Sequence, residues 1–218
     1  MNPYLLRRPV FGLLLIAGAL SLTACGAAKD PRSDLGSKDT RNAMLVSVRD
    51  QRMLLVRDGK PVKSYAISTS KFGVGSEPDS YRTPLGRMEI ARKIGDGQPN
   101  GMVFKGRSPT GEILRANAPG RDPIVSRILW LNGKEGQNSN TFHRFIYIHG
   151  TPEESRLGRP ASYGCIRMGM EDVIDLYSRV GEGAEVQVIL DPLHQTPAGR
   201  KYAKKRPKTG TQLDLASY

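Results

Sequence analysis

Apolar residues in this chain fall mostly in short runs, and few stretches carry helical spacing. Leu45, Val46 and Val48 form one run; Met53, Leu54, Leu55 and Val56 form the next, across Arg49-Asp50-Gln51-Arg52. Two such runs around a polar tetrapeptide predict a β-hairpin. Asp58-Gly59 is a second turn signal and leads into a strand over Val62–Ser68. The same pattern predicts strands over Gly86–Arg92, Met102–Lys105, Ser126–Leu131, Arg144–Ile148 and Ala184–Leu190. One helix stands out over Glu171–Val180, with apolar positions 173, 176, 177 and 180. It opens on acidic residues, which suit the positive end of the helix dipole, and stops at Gly181. These elements predict a mainly β fold, a β-sandwich or barrel-like domain. Long polar loops at Ser70–Tyr81 and Gly106–Asp122 are placed to wall a site.

The ends of the chain read differently. Arg7 and Arg8 precede an apolar run from Val10 to Leu20, too short to cross a bilayer comfortably. Residues 1–24 therefore read as a signal peptide. Leu22-Thr23-Ala24-Cys25 resembles a bacterial lipobox, in which the cysteine is lipidated; an ordinary signal peptide beside a cysteine is the alternative. Lipid on Cys25 implies a membrane anchor on the periplasmic face of the cell envelope. Gly26 after Cys25 points to the outer membrane if the source is Gram-negative. Residues 25–42 are small, polar and charged, as in a flexible tether. Residues 43–191 hold the domain. Residues 192–218, with Arg200, Lys201, Lys204, Lys205, Arg206 and Lys208, read as a basic flexible tail.

Charge narrows the partners. Thirty-three Lys and Arg against 21 Asp and Glu give a net charge of +12, which favours anionic partners. Neither paired Cys/His metal spacing nor an aromatic RNA-binding strand is present, so nucleic acid is not expected.

The chemistry concentrates in two stretches. Phe145-Ile146-Tyr147-Ile148-His149-Gly150-Thr151 is followed by Ala161-Ser162-Tyr163-Gly164-Cys165-Ile166-Arg167-Met168. Cys25 and Cys165 are the two cysteines; lipid on Cys25 would leave Cys165 unpaired. A lone thiol in an oxidising compartment is a liability unless it does chemistry, although a buried inert cysteine is the bland alternative. His149 lies sixteen positions earlier. A thiol attacks a carbonyl as thiolate, and an imidazole is a common base for it. The turn Tyr163-Gly164-Cys165 can converge backbone N–H groups on one point, an arrangement suited to an oxyanion. His143, His194 and Trp130 carry no such pattern and read as structural or solvent-exposed.

Taken together, these residues resemble the signature of the L,D-transpeptidase catalytic domain (YkuD-type). His149-Gly150-Thr151 and Ser162-Tyr163-Gly164-Cys165-Ile166-Arg167 match its two blocks. Tyr81-Arg82-Thr83-Pro84-Leu85-Gly86 resembles its Thr-Pro-x-Gly segment, and Gly183-Ala184-Glu185-Val186-Gln187-Val188 its closing strand. Tyr163 stands where the family most often has a second histidine. The resemblance implies a β fold with a helix after the cysteine, Cys165 as nucleophile and His149 as general base and acid. It also implies the Gly150 backbone carbonyl as the group orienting His149, and the Tyr163, Gly164 and Cys165 amides as the oxyanion site. Peptidoglycan stem peptides are the implied partners, with no metal and no cofactor. Arg167, Tyr163, Ser162 and Arg82 are the candidate substrate contacts; the alternatives are a structural role for Arg167 and Ser162, a tolerated variant at Tyr163 and a solvated loop residue at Arg82. The implied reaction is 3→3 crosslinking or exchange of the terminal D-amino acid. A hydrolase on the same scaffold, or a non-catalytic peptidoglycan-binding lipoprotein, are the competing functions.

Overall fold

The computed structural model describes residues 38–205. The signal segment, Cys25, most of the tether and residues 206–218 lie outside them. Ten strands form one sheet: β1 Asn42–Ser47, β2 Arg52–Arg57, β3 Lys60–Ser68, β4 Gly86–Ile94, β5 Met102–Lys105, β6 Ser108–Ile113, β7 Ile124–Gly133, β8 Tyr147–Gly150, β9 Ile166–Met168 and β10 Glu185–Ile189. The helices are α1 Met170–Arg179 and α2 Pro197–Lys205.

The sheet order is β4-β10-β1-β2-β3-β9-β8-β7-β5-β6, and β4 also pairs with β7. That extra pairing closes the sheet on itself and gives β4 a partner on both sides. The β5–β6 hairpin is left as an extension on the N-terminal end of β7, where Val103 pairs Val125. A bulge in β7, with Ser126 at φ +65°, lets one long strand serve β5, β8 and β4. The Ser126 hydroxyl accepts from the Gly101 N–H and donates to Asn100 Oδ1, which stabilises the bulge.

Alternation along the strands sends one face inward. Met44, Val46, Met53, Leu55, Tyr65, Ile67, Ile148, Ile166 and Met168 share a core with Val173, Leu176 and Tyr177 of α1. Full burial of a side chain of this size contributes about 1.5–3 kcal/mol. A second cluster of Met102, Phe104, Ile128, Trp130 and Tyr147 lies on another face, with Cys165 packed against it. Trp130 is part of that cluster; its N–H donates to the Phe142 carbonyl.

Polar anchors fix α1. Asp175 accepts from the Tyr65 hydroxyl at 2.8 Å, Lys63 at 3.0 Å and Arg179 at 2.7 Å, joining helix to β3. Glu154 accepts the Met170 N–H at the start of the helix. Asp39 accepts the Gly181 N–H just past its end.

Several expectations change here. Asp39 and Asn42 are fastened to the domain, so the expected tether to residue 42 stops short of them. The loop expected over Gly106–Asp122 contains β6, whose exposure at every position leaves no apolar period to read. Arg144 and Phe145 end a turn, Ile146 follows it, and the strand begins at Tyr147. The expected flexible tail contains a 3-10 turn at Leu193–Gln195 and then α2. Its lysines and arginines lie on the exposed face, while Gly199 is buried against the Leu193 carbonyl. Between Cys165 and α1 stands β9, so the cysteine turn feeds a strand before the helix.

Candidate active site

β8 and β9 are adjacent and parallel, with Ile148 paired to Ile166 and His149 to Arg167. Ile148 and Ile166 point into the main core. Side chains alternate along a strand, so His149 and Arg167 share the other face, with Tyr147 and Cys165 one step earlier on each side. The ladder thus brings together two residues far apart in sequence.

His149 is buried, and its Nδ1 lies 2.8 Å from the Gly150 carbonyl oxygen. A carbonyl only accepts, so Nδ1 carries the proton and Nε2 keeps a free lone pair. Burial holds the imidazole below its ordinary pKa; the Gly150 carbonyl and Asp122 pull it back up, and Arg167 pushes it down. His149 is therefore neutral at neutral pH. A methyl group at Gly150 would lie 2.5 Å from the Val125 carbonyl, so the strands are close here.

Cys165 is half-buried. Its thiol donates to the Phe145 carbonyl at 3.4 Å, and its sulfur accepts from the Tyr147 N–H at 3.4 Å. Burial pushes the thiol up to about 11, with the Tyr147 N–H and the Arg144 charge acting the other way. Thiol and imidazole both rest neutral, and the geometry favours proton transfer during attack over a standing ion pair. Phe145 holds its carbonyl in place at φ +56°, an uncommon conformation for a bulky residue.

The turn before the cysteine is pinned from both sides. Gly164 has φ +115°, and a Cβ there would sit 3.3 Å from Ile146 and 3.4 Å from the Arg82 carbonyl. Ser162 is buried; its hydroxyl donates to the Cys165 carbonyl and accepts from the Gly164 N–H at 3.3 Å. The Thr83 hydroxyl donates to the Gly164 carbonyl and accepts from the Ser70 N–H.

The expected substrate contacts divide. Ser162 closes its own loop and does not face solvent, and the Gly164 amide expected at the oxyanion site is occupied by its hydroxyl. Arg167 is 3% exposed and pairs with Asp122 and Glu153. It is a buried structural cation, and the role of recognition charge does not fit it. Its Nε and Nη2 have no hydrogen-bond partner among the described residues. Tyr163 is exposed, with Phe72 and Tyr81 at 5.5 and 6.0 Å and Lys71 Nζ 2.8 Å from its hydroxyl. Arg82 is exposed beside Glu77 at 3.9 Å. His143 and His194 are exposed and outside the site.

Residues 41–188 match the family described as YkuD, the L,D-transpeptidase catalytic domain. The chain belongs to that family. It is 28% identical over 153 residues to the putative L,D-transpeptidase YkuD of Bacillus subtilis, covering 69% of this chain and 93% of that protein. Over 148 residues it is 24% identical to putative L,D-transpeptidase YqjB of B. subtilis, covering 68% and 71%. A 61-residue stretch is 38% identical to the probable L,D-transpeptidase YbiS of Escherichia coli K12, covering 27% and 20%. Among solved structures, L,D-transpeptidase 3 of Mycobacterium tuberculosis aligns at 17% identity and a TM-score of 0.45, covering 68% of this chain and 61% of that one. An L,D-transpeptidase of Mycobacterium smegmatis aligns at 14% and 0.46, covering 68% and 58%. The chain thus spans less than two thirds of those solved chains.

Residues of this L,D-transpeptidase domain missed from sequence include Arg144, Thr83 as a brace, the Phe145 carbonyl and Asp122. Thr83 had a signal, as part of Thr-Pro-x-Gly. Phe145 acts through its backbone and Arg144 through the fold, so neither left a side-chain pattern to find.

Proposed function

We propose that this protein is a peptidoglycan L,D-transpeptidase working through a Cys165 acyl-enzyme on stem tetrapeptides. The observation that carries the reading is the Nδ1 contact of His149 to the Gly150 carbonyl, which leaves Nε2 unprotonated on the face shared with Cys165. In the first step the Cys165 sulfur attacks the carbonyl joining the third and fourth stem residues. Its proton passes to His149 Nε2. The tetrahedral intermediate collapses, the C–N bond breaks, and His149 returns the proton to the departing D-alanine amine. An amine then attacks the thioester: a second stem's side chain gives a 3→3 crosslink, and a free D-amino acid gives exchange. His149 takes a proton from that amine, and the Cys165 thiol is regenerated. Tyr163 and Arg82, both exposed near the turn, are the side chains offered for substrate contact.

The test is mass spectrometry of products from purified disaccharide-tetrapeptide. Wild type should yield crosslinked or exchanged product and Cys165→Ala none. Undiminished product from Cys165→Ala would remove the cysteine mechanism; tripeptide alone from wild type would make water the acceptor. Anchoring through lipid at Cys25, facing the periplasm and in the outer membrane of a Gram-negative source, is part of the same proposal. Labelled fatty acid should enter wild type and fail to enter Cys25→Ala.

A further inference from the structure

We propose that Arg144 is a positioning residue for Cys165: its guanidinium fastens the loop over residues 75–82 beside the cysteine turn and holds positive charge where thiolate charge develops. Three contacts define the fastening. Nη1 donates to the Gly75 carbonyl at 3.2 Å, and Nη2 to the Ser80 hydroxyl at 3.1 Å and the Arg82 carbonyl at 2.9 Å. The Arg82 carbonyl is the same oxygen that lies 3.4 Å from where a Cβ on Gly164 would sit. One carbonyl thus separates the guanidinium from the residue before Cys165.

The backbone on the other side of Arg144 also meets the sulfur. Phe145 supplies the carbonyl that accepts from the thiol, and Tyr147 the N–H that donates to it. Residues 144–147 therefore seat the thiol while the side chain of Arg144 holds the facing loop. Arg144 is itself partly desolvated, which strengthens its field at short range. The charges facing it come from Glu77 and Asp79 on the loop and from Cys165 on the turn. His149 Nε2 can remove the proton and then carries its positive charge; the resident cation whose field bears on the Cys165 thiol is Arg144, while Arg107 is engaged at the Tyr147 hydroxyl and over the Trp130 and Phe145 rings. Because one guanidinium serves both contacts, displacing the 75–82 loop would change the surroundings of the sulfur.

The inference rests on Cys165 being the reactive thiol. Its test needs no peptidoglycan, so failure of transpeptidation and failure of this role are separable. Full-length wild type, Arg144→Gln and Arg144→Lys are alkylated with iodoacetamide across pH, and modification is read on the Cys165 peptide by mass spectrometry. Amide hydrogen exchange of residues 75–82 is measured alongside. Arg144→Gln should move the alkylation midpoint upward and slow the rate near neutral pH by roughly threefold to tenfold. Arg144→Lys should keep the midpoint near wild type, since the charge remains. Exchange over 75–82 should quicken in both. A glutamine variant with the wild-type pH profile, or one slowed equally at every pH including the alkaline plateau, would overturn the role. Should Arg144→Gln not fold, the lysine variant decides: unchanged exchange over 75–82 or a midpoint raised well above wild type would overturn it.

Discussion

Arg167→Met is expected to cost stability and to leave substrate affinity nearly intact. The arginine is 3% exposed and lies between Asp122 and Glu153, each 24% exposed. Removing one partner of a buried pair typically costs about 3–5 kcal/mol, because the opposite charge is left uncompensated. Two facts reduce that here. The carboxylates keep some contact with water, and the unpartnered Nε and Nη2 of Arg167 already carry a desolvation penalty that methionine removes. A net loss of about 2–3 kcal/mol follows, or a fall of about 5–10 °C in Tm for a domain of this size. Urea and thermal unfolding would read it. The pH profile adds an independent signature. Arg167 disfavours the protonated form of His149 and Asp122 favours it, so deleting the arginine raises the imidazole's proton affinity. The acidic limb of activity should therefore move to higher pH. An unfolding midpoint equal to wild type, with KM for the tetrapeptide raised tenfold or more, would refute the structural assignment and restore Arg167 as a recognition charge.

Other outcomes follow from the same contacts. Gly150→Ala places a Cβ 2.5 Å from the Val125 carbonyl, so β7 must shift or the His149 acceptor must rotate. A loss of about 1–3 kcal/mol is expected together with reduced turnover, and unchanged thermal unfolding would contradict it. Tyr65→Phe deletes the hydroxyl on Asp175 and should cost about 1–2 kcal/mol in urea unfolding, with Arg179→Ala non-additive on top of it. Acid should destabilise the fold in two windows. His149, held below its ordinary value near 6.5 by burial, binds a proton more readily unfolded, so stability falls as pH drops below that value. Asp175, held well below the usual carboxylate range chiefly by Arg179, loses its contribution as pH falls further, below about 4. A His149→Gln variant with the wild-type slope between pH 6.5 and 5 would remove the first window.

Much of the fold was legible because burial leaves periodic marks. Leu45 to Val56 read as a hairpin since β1 and β2 each bury one face. The helix read correctly to within a residue at each end, since Val173, Leu176 and Tyr177 recur at its period. β9 was not legible because three residues hold no period, and β6 because none of its residues is buried. α2 was masked by its own charge: Arg200, Lys201, Lys204 and Lys205 describe a solvated tail as well as a solvated helix face. At the site, residue type and spacing singled out His149 and Cys165, and the contact of His149 with the Gly150 carbonyl, expected from the family resemblance, is present. For Arg167 and Ser162 the sequence left substrate contact and a structural role both open, because their polarity was visible and their burial was not. Asp122 sits 45 residues from Arg167, a contact no local pattern encodes.

The parallel pairing of β8 with β9 has a consequence for how such a site can vary. Relative placement of imidazole and thiol is set by backbone ladder bonds at Ile148–Ile166 and His149–Arg167. In the connecting segment over residues 151–164, Glu153, Glu154 and Ser162 are held by Arg167, Met170 and the cysteine turn, while residues 158–160 lie exposed. Insertions within its exposed stretch should be tolerated, whereas sliding one strand by a single residue would turn His149 or Cys165 into the hydrophobic interior. The imidazole and the thiol are thus indexed by sheet register, and length can change in the exposed part of the loop between them without moving either one.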